Sequence, residues 1–394
     1  MIRLTTNKNF IFFMAVYGIA IGNAGSTLYL PALVNITHKL NTTSGLVKLS
    51  LASYLLTFAL SQLIYGPISD SIGRKKVLLT GLGIFLAGSI IICIANTISI
   101  FILGRLVEGF GIGAANAVGY AIVRDIFSGH ELIKKVSYVS VCVGLVPIIA
   151  PLCGGYLVEY INWQACFIFL SLLVTSLISI EYLQMPETNL GHTHKMSLQD
   201  IANNYLNLIT NQNYLAATLV GSIAFSSLFS LNSILPFIII KHLNVAPALY
   251  GWLTLIMGIG YFSGSFVGGI LATRFSIEFT IRSGIWIQIV TAIIGLIVAL
   301  IYFNIAVVII PLFFILFGVG LIVPTSVGKA LALFPELAGS ASALFGTSMF
   351  GTAAVFTSII AHISTNNQIQ LFMFLLGLSI ISGICYFSIY KRSI

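Results

Sequence analysis

Charge is scarce in this chain. Of 394 residues only 7% are Asp, Glu, Lys or Arg, where a soluble protein would carry about 25%. So little charge cannot cover a water-facing surface. A soluble globular fold is therefore excluded, and lipid must solvate most of the chain. Strict alternation of apolar and polar residues is also missing, which favours helices over the strands of a membrane barrel. The five cysteines, Cys93, Cys142, Cys153, Cys166 and Cys385, form no CxxC pair. They read as small apolar packing residues, with no disulfide framework expected. No HExxH, nucleophile elbow or phosphate-binding loop is found, and no histidine cluster lies within the apolar runs. A membrane enzyme and an ATP-driven pump are thereby disfavoured, and no cofactor is expected. His192 and His194 have ligand-like spacing but no third ligand beside them, so no metal is expected.

What fills the sequence is apolar: 58% of residues are hydrophobic. The runs lack a period of two and reach the roughly 20 residues that a membrane helix needs. Twelve such spans are expected, near 10–32, 46–67, 77–95, 98–123, 135–158 and 164–184, then near 214–240, 249–272, 281–301, 305–330, 339–362 and 368–390. The first is long enough to span rather than be cleaved as a leader. The fold class is an all-α membrane protein. Six spans, a polar linker and six spans imply two similar halves, residues 1–184 and 214–394, joined by a cytoplasmic linker at 185–213.

The net charge of +8 is not a nucleic-acid signal, because of where it sits. Fourteen of the eighteen Lys and Arg fall on the side of the amino terminus, among them Arg74, Lys75, Lys76, Arg124, Lys134 and Lys135. Lys39, Lys48 and Lys241 fall on the other side, and Arg105 lies within a span. Basic residues gather in cytoplasmic loops, so both termini are expected in the cytoplasm.

Four stretches carry chemistry. Gly66-Pro67-Ile68-Ser69-Asp70-Ser71-Ile72-Gly73-Arg74-Lys75-Lys76 is the densest charge cluster and joins the second and third spans. Gly66 would permit close approach of another helix and Gly73 a tight reversal. Asp70 and Arg74 are spaced to pair. In the fourth span, Arg105-Leu106-Val107-Glu108 starts a run containing Gly109, Gly111 and Gly113. Arg105 lies roughly 10 Å into the membrane at 1.5 Å per residue. A charge there must face a cavity or a partner, and Glu108 is one turn deeper on the same face. Arg124-Asp125 closes that span, either as part of a latch with Asp70 and Arg74 or as a solvated helix end. The fifth span carries Pro147, Pro151, Gly154 and Gly155, in which prolines disrupt the backbone ladder and glycines allow close packing.

The first of these stretches resembles the signature loop of the major facilitator superfamily. The resemblance implies a cytoplasmic latch in which Asp70 and Arg74 hold the outward-facing state, with the Asp70 carboxylate near the start of the eleventh helix. The Arg105 to Ala115 run resembles the family's second motif. Pro147 to Gly155 resembles its antiporter motif, with Ala150 in place of the usual first glycine. With Asn23 to Leu33 and Gln62 to Pro67, the amino-terminal half is similar to the Bcr/CflA-type drug-resistance exporters. Those exporters usually carry an Asp where this chain has Thr27, an acid that in them helps bind protons or cations. Of the ten acids here, only Glu108 lies well inside a span.

The resemblance implies alternating access, a small-molecule substrate, and a monomer in a bacterial inner membrane. It also argues against an ion channel. The leading expectation is proton-coupled export of small amphipathic molecules, with Glu108 exchanging the proton and Arg105 modulating it. The alternative is an anionic or polyhydroxylated solute, such as an organic acid or siderophore, bound directly by Arg105. Candidate cavity residues are Asn23, Thr27, Tyr29, Tyr54, Asn116, Tyr120, Asn232 and Ser233. Phe58, Phe225, Phe229 and Phe345 would form an apolar wall.

Overall fold

The computed structural model describes residues 7–189, 198–334, 337–363 and 367–389. His192, His194, Arg3, Lys195, Glu336, Lys391 and Arg392 lie outside the described residues, as do the side chains of Cys142 and Asp200. Among the described residues, twelve helices are long and apolar enough to cross a membrane. The first span runs Lys8–Lys39, followed by Ser44–Ile72, Arg74–Cys93, Ile98–Ile126, Gly129–Tyr160 and Gln164–Gln184. The seventh runs Gln212–His242, followed by Pro247–Arg274, Ile277–Ile301, Ile305–Ala332, Ala338–Ala361 and Gln368–Ile389. Below, the face that carries the amino terminus is called proximal and the opposite face distal.

Polar residues punctuate this apolar chain where helices begin. The side chains of Thr43, Thr97, Asn211, Ser276 and Asn304 each accept a backbone N–H three residues on. Each satisfies one of the donors that a helix start leaves open. Between the second and third spans the chain reverses on Gly73 alone, at φ 105°, a conformation that favours glycine. The first and seventh spans both change winding near the distal face. Pro31 lies in a 3₁₀ turn at Leu30–Ala32, and Pro236 precedes a π turn at Phe237–His242. The fifth span, by contrast, runs as one helix through both Pro147 and Pro151. Neighbouring helices hold its two flanks, so the lost ladder bonds do not end it.

The two halves repeat each other in detail. Gly81 and Gly284 are each the eighth residue of their helix, and Gly111 and Gly318 each the fourteenth. A Cβ on Gly81 would meet the Gly111 carbonyl oxygen at 2.7 Å, and one on Gly284 the Gly318 oxygen at 2.9 Å. Both halves thus seat a helix pair on the same small-residue contact. The repeat fails at one informative place. Arg105 and Glu108 in the fourth span are matched by Leu312 and Ile315 in the tenth.

Candidate functional site

Arg105 and Glu108 are both fully buried, and Nη1 lies 2.5 Å from the Glu108 Oε2. Their three-residue spacing puts them on one helix face, as the sequence implies. Four further groups complete the cluster. The Ser89 hydroxyl of the third span donates to Glu108 Oε1 at 2.5 Å, and Arg105 Nη1 donates to the Gly25 carbonyl at 3.0 Å. The guanidinium lies between two tyrosine rings, 4.3 Å from the Tyr29 centroid and 4.1 Å from that of Tyr54. Such desolvated cation–π contacts contribute on the order of 2 kcal/mol each. Glu108 also packs on Gly88, where a Cβ would meet the Glu108 backbone nitrogen at 2.6 Å. The pair is therefore enclosed inside the first half, between its first, second, third and fourth spans. Two donors of Arg105, Nε and Nη2, have no hydrogen-bond partner among the described residues.

The eight cavity candidates separate into different environments. Tyr29 and Tyr54 form the Arg105 cage, with their hydroxyls bonded to Ser50 Oγ (3.2 Å) and to the Gly22 carbonyl (2.7 Å). Thr27 and Asn23 bond back onto their own helix, at the carbonyls of Asn23 and Ile19. Ser233 does the same to Ser230, and Asn232 is buried on the seventh span. Asn116 and Tyr120 are half-buried. Asn116 Nδ2 donates to Gln62 Oε1 at 2.6 Å. A Cβ on Gly346 of the eleventh span would sit 3.6 Å from that same oxygen. Gln62 and Asn116 thus face the second half, and Tyr120 lies one helical turn further along the same fourth span.

An aromatic cluster joins the halves nearby. Phe350 packs on Phe58 at 4.5 Å, on Phe225 at 5.3 Å and on Phe229 at 6.1 Å between centroids. Phe58, Phe225 and Phe229 were expected on this wall. Phe345 is not there. It packs instead against Tyr214, Ala217 and Ala330 in a separate core cluster. Phe345 and Phe350 lie five residues apart, so they face different sides of one helix.

At the proximal face, Arg74 Nη1 lies 2.5 Å from Asp70 Oδ1 and Arg74 Nε 3.0 Å from Asp125 Oδ2. Of the two alternatives for Asp125, it is thus the latch that the geometry forms. Arg124 does not join it. Its Nη1 reaches the start of the eleventh span, 2.6 Å from where a Cβ on Gly339 would sit. The Asp70 carboxylate, expected near that helix start, pairs with Arg74 and is half exposed. Gly66 differs from expectation too: nothing lies within 4 Å of a Cβ built there. Among the described residues no other helix comes within contact of that position, so the small size of Gly66 is not used there. The second half has its own pair at the equivalent ends, Lys329 and Glu278 at 2.5 Å. There the charges are exchanged, with the acid on the ninth span and the base on the tenth.

Three participants escaped the sequence reading. Glu187 accepts the backbone N–H groups of Arg74 (2.8 Å) and Lys75 (3.2 Å). It is the first acid beyond the sixth span, which was the available signal. Glu181, near the end of the sixth span, is buried, and neither carboxyl oxygen has a hydrogen-bond partner among the described residues. Lys48 was counted as a charge of the far side, yet it is fully buried. Its place inside an apolar run was the hint. At the fifth span, a Cβ on Gly154 would collide with the Leu28 carbonyl oxygen, and one on Gly155 with that of Pro247. These two glycines hold the fifth span against both the first and the eighth.

The family model of the Major Facilitator Superfamily matches residues 11–358. The chain is 27% identical to multidrug resistance protein D of Escherichia coli strain K12, across 96% of this chain and 95% of that protein. It is 25% identical to a bicyclomycin resistance protein homolog of Haemophilus influenzae, across 94% and 93%. Among solved structures it resembles the xylose transporter XylE from E. coli in a partially occluded inward-open conformation. The TM-score is 0.73 at 13% identity, over 97% of this chain and 98% of that one.

Proposed function

This chain belongs to the Major Facilitator Superfamily, and we propose that it is a proton-coupled antiporter exporting small amphipathic molecules. As a member of that family it is a transporter and not an enzyme, embedded in the bilayer by twelve spans and carrying a small-molecule substrate. In the proposed mechanism the halves 1–184 and 214–394 rock about their shared face, joined by the linker 185–213. The chain works as a monomer in a bacterial inner membrane with both termini cytoplasmic, in keeping with its basic proximal loops.

The observation that carries the antiport reading is the Gly154–Gly155 seam. It presses the fifth span against backbone of both halves, at the Leu28 and Pro247 carbonyls, and such a close contact would oppose solute leak. The names of the relatives fit an export role. Glu108 is assigned the exchanging proton, because it is the acid set deep in a span with a base and a hydroxyl to take up its charge. Asp70, Arg74 and Asp125 act as the cytoplasmic latch. Gln62, Asn116 and Tyr120, with the Phe58–Phe350 cluster, offer the substrate a few polar groups on an apolar, adaptable wall. The test is uptake into inverted vesicles under an imposed pH gradient, with a panel of lipophilic cations and organic anions. Gradient-driven accumulation of the amphipathic compounds is expected; transport indifferent to the gradient would remove the coupling.

A second reading is favoured by the two unpartnered donors of Arg105. An anionic or polyhydroxylated solute could satisfy both, since a guanidinium pairs well with a carboxylate. It requires the Tyr29 and Tyr54 rings to part. Competition between organic anions and lipophilic cations in the same vesicles separates the two readings.

A further inference from the structure

Two contacts of one kind hold the halves together at the distal face. Lys48, in the second span, is fully buried. Its Nζ donates to the carbonyls of Ile360 (3.4 Å) and Ile363 (3.2 Å), at the C-terminal end of the eleventh span. Close by, a Cβ on Gly45 would lie 2.8 Å from the Ala361 carbonyl oxygen, so the two helices meet there without room for water. Glu159, at the distal end of the fifth span, accepts the backbone N–H of Ala248 at 2.9 Å. Ala248 is in the first turn of the eighth span. Trp252 Nε1 donates to the Tyr156 hydroxyl one turn away, at 3.2 Å.

The polarity of each contact is the informative part. A helix ends in unpaired carbonyls with partial negative charge and begins in unpaired N–H groups with partial positive charge. The cation sits on the end and the acid on the beginning, so each charge complements the helix it touches. Both charges come from the first half and both helix ends from the second. The spans involved, second with eleventh and fifth with eighth, are the ones that line the face between the halves. By contrast, Arg124 at the proximal face lies at the start of the eleventh span, where the helix field opposes a cation.

We propose that Lys48 and Glu159 are paired gating residues that bolt the distal side of the transporter, setting its resting state as closed there. Opening the distal side separates both charges from their helix ends. Lys48 has the larger share, because its ammonium leaves a buried contact with two carbonyls, of which Ile360 O keeps the Ile363 N–H while both lose the cation. Glu159 is exposed, so salt screens its contribution and leaves that of Lys48 nearly unchanged. The proposal concerns the gate alone and does not depend on which solute or ion is carried.

The test needs no substrate. In the full-length chain with its five cysteines changed to serine, spin labels are placed at Lys39 and Phe303, exposed distal positions in the first and second halves. The chain is reconstituted in lipid nanodiscs and the inter-label distances are measured. Lys48→Met is expected to raise the distal-open population relative to closed by roughly tenfold. Glu159→Gln should act in the same direction more weakly, and only at low salt. Lys48→Arg, which keeps the charge, should return the distribution towards that of the parent. Unchanged distances in both Lys48→Met and Glu159→Gln would overturn the proposal. Should Lys48→Met not yield folded protein, Lys48→Gln decides; if neither folds, Lys48 serves folding and the gate assignment falls.

Discussion

Glu187 caps the third span from 113 residues away: its carboxylate accepts the Arg74 N–H at 2.8 Å and the Lys75 N–H at 3.2 Å. Helix starts in this chain are mostly capped by a residue just before them. At the third span the residue before is Gly73, which has no side chain to offer. A carboxylate from beyond the sixth span fills that role, with the added attraction of a negative charge for a helix N-terminus. Asn189 Nδ2 then donates to the Asp70 carbonyl at 2.8 Å and Lys75 Nζ to the Tyr182 carbonyl at 2.9 Å. The start of the linker, Glu187 and Asn189, and the latch loop are one structure.

Removing that carboxylate should loosen the loop without dismantling the fold. Glu187→Ala is expected to lower stability by about 1 kcal/mol, the usual loss of a helix cap. Glu187→Gln should lose less. Thermal unfolding of the detergent-purified protein reads both, and limited proteolysis should show faster cutting near the linker in the alanine variant.

Two glycines of the Gly66–Lys76 stretch should respond in opposite ways. Gly73→Ala forces a side chain into φ 105° and into the Glu187 carboxylate, which a Cβ would approach at 2.6 Å. A loss of about 1–3 kcal/mol is expected. Gly66→Ala meets open space and, inside a helix, should be neutral or stabilising by up to about 1 kcal/mol. Equal melting temperatures for the two variants would contradict this placement.

The buried pair should tolerate isosteric change and resist truncation. Glu108→Gln keeps the shape and is expected to leave the protein folded while abolishing pH-driven transport in vesicles. Arg105→Met strands the carboxylate without its cation and should destabilise by about 3–5 kcal/mol. Ser89→Ala leaves one carboxylate oxygen unbonded, at about 1–3 kcal/mol. Undiminished gradient-driven transport by Glu108→Gln would remove Glu108 from the coupling step.

The fifth-span seam should be intolerant of a single methyl. Gly154→Ala collides with backbone at Leu28 and Gly155→Ala with backbone at Pro247, neither of which can step aside as a side chain would. Both should lower the melting temperature and raise proton leak in vesicles, measured by dissipation of an imposed pH gradient. Gly83→Ala, with nothing within 4 Å, is the control and should do neither.

Much of this protein was legible in one dimension because the bilayer imposes simple rules. A span must be apolar and about 20 residues long, so all twelve could be counted from composition alone. Local spacing was legible for the same kind of reason: Arg105 with Glu108, and Asp70 with Arg74, lie within one helical turn of each other. The substrate candidates were less so. Polar residues in spans were read as facing a cavity, but Thr27, Asn23 and Ser233 return their side-chain donors to their own helix carbonyls. A hydroxyl or amide in a membrane helix can be satisfied locally, and the sequence does not say which solution a given residue takes.

Length, span count, charge asymmetry and the pairs within a helical turn were thus determined by the sequence itself. Only the tertiary structure decided which distant groups meet. It put Tyr29 and Tyr54 around Arg105, Phe350 rather than Phe345 on the aromatic wall, Arg124 at the start of the eleventh span, and Glu187 on the third. It also took Lys48 from a loop charge to a buried contact between the halves. The physical reason is common to all of them. Hydrophobicity fixes that a helix crosses the membrane but not its rotation about its own axis, and that rotation, set by packing, chooses every long-range partner.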